Sequence, residues 1–375
     1  MKRWAFDRIK QDLDHKIILL SGPRQVGKTT LSRSLFSRYT YLNYDAPEHR
    51  VAVQKKEWNR LSDLVIFDEL HKMKNWKSWI KGIYDVEGVL PRLLITGSAK
   101  LDVARKMGDS LAGRHFLYRL HPFCLKELAS QMDEGECFRR LMAVGGFPEP
   151  FLANDITYYN RWRRSHLDII LRQDLLDVEN VKQIQNIETL IELLRMRVGS
   201  TVSYAALARD LECDATTVKR WLTLLENLFI IFTVTPWSKN IARSLLKEPK
   251  YYFYDNGQIP IENTDARFEN LLACMLHKEM HRLEDLEGKR TALHYLRTKE
   301  GKEVDFCFMV DGIPRLLVEA KYGDTNPSPQ LKWFAQFFQK NTPQLLQVVG
   351  IEFEPYLSRE GVHVIPITKL APYLS

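Results

Sequence analysis

The chain has 375 residues, 45% of them hydrophobic, enough for a sizeable core and for two or three domains. Charged residues make up 27%, which is ordinary for a soluble globular protein, and the net charge of +7 suits a polyanionic partner without specifying one. Five widely spaced cysteines without a CxxC pair exclude a disulfide framework and a zinc ribbon, and no apolar run approaches the ~20 residues that span a bilayer. The N-terminal stretch MKRWAFDRIKQDLDHK lacks the apolar segment of a signal peptide, so a cytoplasmic location is expected.

Residues 1–125 alternate short strands with helical stretches. Lys16–Leu20, Tyr39–Asp45, Leu64–Phe67 and Leu93–Thr96 read as strands, nearly all apolar and bounded by Gly, Pro, Asn and Asp. Such runs fit a parallel sheet buried on both faces, hence an α/β domain of RecA-like type.

The first strand runs into Gly22, Pro23, Arg24, Gln25, Val26, Gly27, Lys28, Thr29 and Thr30, followed by a helical pattern. This is GxxxxGK[ST] in strand–loop–helix context. The glycines let backbone N–H groups curl around phosphates at a helix N-terminus. Lys28 is placed to reach the β- and γ-phosphates of ATP, and Thr29 to put its hydroxyl on Mg²⁺. The run Leu64–Phe67 ends in Asp68 and Glu69. Asp68 is then expected to hold the Mg²⁺ shell, and Glu69 to orient or deprotonate the attacking water. Thr96 and Ser98, after the fourth strand, offer hydroxyls toward the γ-phosphate or the water, although a Ser/Gly turn closing a strand explains them equally. Arg114 is the candidate arginine for charge developing on the γ-phosphate, in cis or across a subunit interface; a salt-bridged surface arginine is the competing reading.

Residues 126–250 are mainly helical. Ser203–Leu211 and Asp214–Leu228 read as helix-turn-helix, and the strand Phe229–Pro236 after them suggests a winged version. A DNA-reading role would use Thr216, Thr217, Lys219 and Arg220, while Trp221, Leu222, Leu224 and Leu225 fit a packing module as well. Arg161–Arg164 mixes basic and aromatic residues, either a stacking contact to nucleic acid or a solvated helix face.

From residue 251 onward strands return. Glu303–Met309 and Leu316–Lys321 flank an Asp311–Gly312 turn and read as a hairpin. Glu319 and Lys321 are two apart and share one face of their strand, with Asp305 on the partner strand. Carboxylates there are candidate Mg²⁺ ligands, and a lysine beside them could activate water against a phosphodiester. This arrangement resembles the PD-(D/E)xK nuclease fold, in which an upstream helix often supplies a further acid; Glu269 fits that place.

The segments GPRQVGKTT, LVIFDE, ITGSAK, SLAGR, LHPFCLKEL and GGFPE together resemble P-loop ATPases of the AAA_14 type joined to a DUF4143 region. The resemblance implies nucleotide and Mg²⁺ at Lys28 and Thr29, Mg²⁺ and water at Asp68 and Glu69, and a sensor at Thr96 and Ser98. A second-sensor arginine is not evident. The expected architecture is thus a P-loop domain over 1–125, a helical lid with winged helix over 126–250, and a nuclease-like α/β domain over 251–375. The expected function is Mg²⁺-dependent ATP hydrolysis that regulates a nucleic-acid-acting, metal-dependent nuclease domain. The alternative is an ATP-dependent switch or scaffold whose nuclease-like domain binds without cutting. Expected partners are nucleic acid, with DNA first, and proteins or a second copy of the chain; no membrane is expected.

Overall fold

The computed structural model describes residues 1–97, 111–174, 181–238, 248–338 and 341–374. Contacts divide the chain into two compact units, residues 1–122 with 227–229, and residues 123–226 with 230–375.

In the first unit, β1 (Ile17–Ser21), β2 (Tyr39–Asn43), β3 (Leu64–Asp68), β4 (Arg92–Gly97) and β5 (His115–Arg119) form a sheet of order β2-β3-β4-β1-β5. Every pairing is parallel. β1 and β3 are buried along their whole length, which explains their unbroken apolar sequences. One face carries a core in which Trp58, Phe67 and Trp79 meet edge to face, with Trp76, Ile80 and Ile83 from the helix Trp76–Glu87. The sequence pattern did not mark β5. It is an edge strand, HFLYR, with one fully buried residue, so it lacks the apolar run that betrays its neighbours. The useful consequence is the position of β4 between β1 and β3. Leu20 and Asp68 both register with Thr96, so the ends of all three strands lie side by side.

The second unit opens with helices that include Glu134–Val144, Ile156–Ile169 and Val181–Arg195. The pair Tyr204–Asp210 and Ala215–Asn227 follows. The second of these buries Val218, Trp221, Leu222 and Leu225, the stripe of an amphipathic helix, and leaves Thr216, Lys219 and Arg220 exposed. Trp162, in the basic-aromatic run, is buried and stacks on His166 with ring centres 4.6 Å apart, so its ring is not presented for stacking on a base. Gly145, in the GGFPE segment, has φ +71°, and a side chain there would collide with the carboxylate of buried Asp255. Tyr159 donates to that same carboxylate (2.8 Å). Packing therefore accounts for the first glycine of this motif.

An eight-stranded mixed sheet completes the unit: β6 (Ile231–Pro236), β7 (Lys250–Phe253), β8 (Thr291–Arg297), β9 (Glu303–Val310), β10 (Ile313–Lys321), β11 (Gln344–Val349), β12 (Tyr356–Leu357) and β13 (Val362–Pro366). Its order is β12-β13-β11-β10-β9-β8-β6-β7. The long helix Thr264–Glu287 precedes an antiparallel meander β8-β9-β10; the helix Pro329–Ala335 then leads to β11, parallel to β10. The Asp311–Gly312 turn has both residues at positive φ (52° and 79°), as a two-residue hairpin of type I′ requires. The strands after the helix-turn-helix pattern and the C-terminal strands belong to one sheet. Among the described residues no helix is long and apolar enough to cross a membrane.

Candidate functional site

The first site lies where β1, β4 and β3 end. From Ser21 the chain turns through Gly22–Gly27, and a helix begins at Lys28. Gly22 is required because a side chain there would collide with the Leu120 carbonyl, and Gly27 enters the helix at φ +96°. The Lys28 ammonium is held by the loop itself, donating to the Gly22 and Pro23 carbonyls at 2.8 and 2.7 Å. Behind the loop, buried Arg3 donates to the carbonyls of Val26 (2.9 Å) and His121. Arg3 braces the loop; as one basic residue in a basic N-terminal stretch, it carried no sequence signal.

Asp68 is the centre of this site. Its buried carboxylate accepts hydrogen bonds from Thr29 Oγ1 (3.0 Å), Tyr41 (2.6 Å) and Thr96 Oγ1. These partners are neutral hydroxyls from the phosphate-loop helix, β2 and β4. They orient the carboxylate without neutralising its charge. Tyr41 was missed at the sequence level because β2 looks like an ordinary half-buried strand. Burial, then the hydrogen bond to Asp68, raises its phenol pKa well above the usual range, so it remains a donor. Glu69 follows in the left-handed conformation (φ 57°), its N–H bonded to the Thr96 carbonyl at 3.0 Å. Its carboxylate lies 3.6 Å from His71 Nε2 and 3.9 Å from Lys72 Nζ. Thr30 is exposed on the helix, while Ser98 lies outside the described residues.

Arg114 is not brought to this site. It precedes β5 where His115 registers with Ile17, at the opposite end of β1 from the phosphate loop. There its guanidinium grips Asp85 through Nε (2.6 Å) and Nη2 (3.2 Å), and the pair holds the Asp85 carboxyl below its ordinary pKa.

The donor set fits Mg²⁺, which takes oxygen ligands and is commonly held by one or two protein groups together with substrate phosphates. Thr29 would hold it directly and Asp68 would hold its water shell. Bound there, the ion would neutralise charge on the phosphates.

The second site lies in the C-terminal sheet. Phe306 registers with Val318, so Asp305 on β9 and Glu319 on β10 come next in line. Asp305 Oδ2 accepts from the Ala320 N–H (2.9 Å), and Lys321 pairs with Glu319 Oε1 (3.0 Å). Glu269, from the long helix, accepts from Tyr252 at 2.7 Å. The structure therefore gathers Glu269, Asp305, Glu319 and Lys321 in one region. It adds Lys250 and Glu303, which the sequence reading did not name as site residues. The ammonium of Lys250, 1% exposed, lies 2.5 Å from Glu303 Oε1, 3.5 Å from Glu269 Oε1 and 3.7 Å from Asp305 Oδ1. A lysine opening the apolar strand KYYF was the available signal.

Charge balance is poor here. Burial, and after it the Asp305 charge, pushes the Glu319 carboxyl up to about 8 and that of Glu269 up to about 7. Burial opposes the Lys250 ammonium, but the charges of Glu269, Asp305 and Glu303 outweigh it and raise its pKa. Glu319 Oε2 is buried without a hydrogen-bond partner. Among the described residues no three His, Cys, Asp or Glu side chains converge to hold an ion. As arranged, Glu269 and Asp305 surround a lysine, and this donor set does not fit a divalent metal.

Residues 14–129 match the family model described as AAA domain. Residues 135–260 and 265–370 match two models described as domains of unknown function, DUF8612 and DUF4143. An uncharacterized protein of Mycobacterium tuberculosis is 28% identical over 323 residues, covering 84% of this chain and 72% of that protein. Another, from Methanocaldococcus jannaschii, is 23% identical over 359 residues, covering 85% and 78%. Among solved structures, a Signal Transduction ATPase with Numerous Domains (STAND) protein from Pyrococcus horikoshii aligns with TM-score 0.28 and 12% identity, over 75% of this chain and 47% of that one. A DNA polymerase III gamma subunit-related protein from Thermotoga maritima aligns with TM-score 0.25 and 13% identity, over 74% and 99%. Scores this low establish no common fold. The AAA match, over the parallel sheet that carries the phosphate loop, supports an ATP-binding ATPase domain in the N-terminal unit.

Proposed function

We propose that the chain is a Mg²⁺-dependent ATPase acting as a switch on nucleic acid through a nuclease-like C-terminal region. The observation that carries the ATPase part is the Asp68 carboxylate, held by the hydroxyls of Thr29, Tyr41 and Thr96 beside the Lys28 loop. In this reading Lys28 leaves the Gly22 and Pro23 carbonyls for the terminal phosphates, and Glu69 orients water, its N–H fixed by the Thr96 carbonyl. An arginine from a second copy or a partner protein would complete the charge balance, since Arg114 is engaged with Asp85.

Two features support the nucleic-acid part. Asp305 on β9 and Glu319 and Lys321 on the adjacent β10, with Glu269 on the helix that precedes the meander, support the PD-(D/E)xK resemblance. The second helix of the helix-turn-helix pattern exposes Thr216, Lys219 and Arg220 away from its packed face, and an antiparallel pair of strands after it supports a winged version. Lys250, set among the carboxylates, favours binding without cutting as the resting behaviour.

The test is cleavage of labelled single- and double-stranded DNA and RNA with Mg²⁺ or Mn²⁺, with and without ATP. Wild type is compared with Lys28→Ala and Glu319→Gln. ATP-dependent binding without cleavage is the expected result. Cleavage lost in Glu319→Gln would establish a nuclease instead, and the absence of both binding and cleavage would remove the nucleic-acid reading.

A further inference from the structure

We propose that Lys250 is an internal cation that competes with divalent metal for the C-terminal carboxylates, so the cluster takes up a metal ion only when this ammonium is displaced. The inference rests on the nuclease-like reading of that cluster and supplies its regulation.

The geometry is specific. An ammonium has three N–H donors, and Lys250 directs its charge at Glu303, Glu269 and Asp305. Two of those three are the acids that would have to turn toward a metal. Lys250 and Tyr252 project from the same face of β7, and Tyr252 holds Glu269 in place at 2.7 Å. Gly199 closes the other side of Glu269; any side chain there would run into its carboxylate. Glu269 is thereby fixed toward the lysine.

The cluster holds more carboxylates than cations. Glu269, Glu303, Asp305 and Glu319 face two lysines, Lys250 and Lys321, with Arg297 touching Glu303 from the rim at 3.4 Å. Glu319 is 6% exposed and its Oε2 has no hydrogen-bond partner, an unspent ligand atom beside Asp305. A partly buried excess of carboxylate is costly unless a cation balances it, and a buried ammonium a few ångströms away repels a second cation. Lys250 thus stabilises the closed cluster and suppresses its affinity for metal in the same contact.

The experiment uses the full chain carrying Asp68→Asn, which takes the N-terminal carboxylate out of the titration. Mn²⁺ binding is followed by electron paramagnetic resonance and calorimetry, with folding checked by thermal unfolding. Lys250→Met is expected to bind Mn²⁺ at least ~10-fold more tightly than its parent, and adding Glu319→Gln is expected to abolish the gain. Should Lys250→Met fail to fold, the pair Lys250→Met with Glu303→Gln removes the lysine together with its nearest counter-charge and tests the same point. Equal affinity with and without Lys250 would overturn the internal-cation proposal while leaving a metal-binding cluster. No binding in any folded variant would overturn the nuclease-like reading, and this inference with it.

Discussion

The two acidic sites of this chain are built on opposite electrostatic plans. Asp68 is buried against neutral hydroxyls from Thr29, Tyr41 and Thr96. Asp305, Glu269 and Glu303, all partly buried, surround a buried ammonium. Hydroxyls orient a carboxylate and leave its charge available to Mg²⁺. A lysine neutralises part of the charge of the acids around it, so the second site is partly balanced by a group of the chain itself. Both look the same at the level of motif, as acids near strand ends. What separates them is the chemistry of the groups packed around the acids.

Four substitutions sharpen or break this contrast. The largest effect is expected at Asp68→Asn, which removes the one charged acceptor that the hydroxyls orient. Steady-state phosphate release should fall by about 10²-fold or more with the fold intact; a loss under ~3-fold would break the contrast. Glu69→Gln should cut turnover by roughly 10–10²-fold while nucleotide binding, measured by fluorescent analogue, is retained. Equal loss of binding and turnover would assign Glu69 to the fold.

The third prediction concerns pH. In the folded chain Glu319 and Glu269 hold protons up to about pH 8 and 7, against 4.5 for an ordinary glutamate. Between those values the native state binds more protons than the unfolded chain, so stability falls as pH rises from about 4.5 to about 8. Glu319→Gln should flatten that decline and gain on the order of 1 kcal/mol or more at pH 8, read from urea midpoints at a series of pH values. A parallel decline in the variant would show that Glu319 is not its source. The smallest effect is expected at Tyr41→Phe, which removes one of three hydrogen bonds to Asp68. About 1 kcal/mol, or roughly 5-fold in turnover, is expected; no change would mean that Thr29 and Thr96 suffice.

The first site was legible in sequence because its chemistry is local. Gly22–Thr30 are contiguous, and Asp68 and Glu69 end an unmistakably buried strand, so spacing alone brings them to one candidate site. Tyr41 and Arg3 were not legible, since their value comes from the β2-β3 pairing and from the chain passing behind the loop. The place of Arg114 was not legible for the same reason. A Gly-Arg after a helical stretch fixes no direction, and the β1-β5 register, invisible in sequence, sends it to the far end of the sheet. In the C-terminal sheet the hairpin and its turn were readable from Asp311–Gly312, and with them the pairing of Asp305 and Glu319. Lys250 lies more than fifty residues before its partner Glu303, on a strand whose neighbours in the sheet no local pattern announces.

The most direct test of the central claim is ATP turnover by the purified chain in Mg²⁺ and in EDTA, with Lys28→Ala alongside. The account predicts phosphate release that needs Mg²⁺ and is lost in Lys28→Ala while thermal unfolding is unchanged. Hydrolysis that persists in EDTA or in folded Lys28→Ala would contradict it.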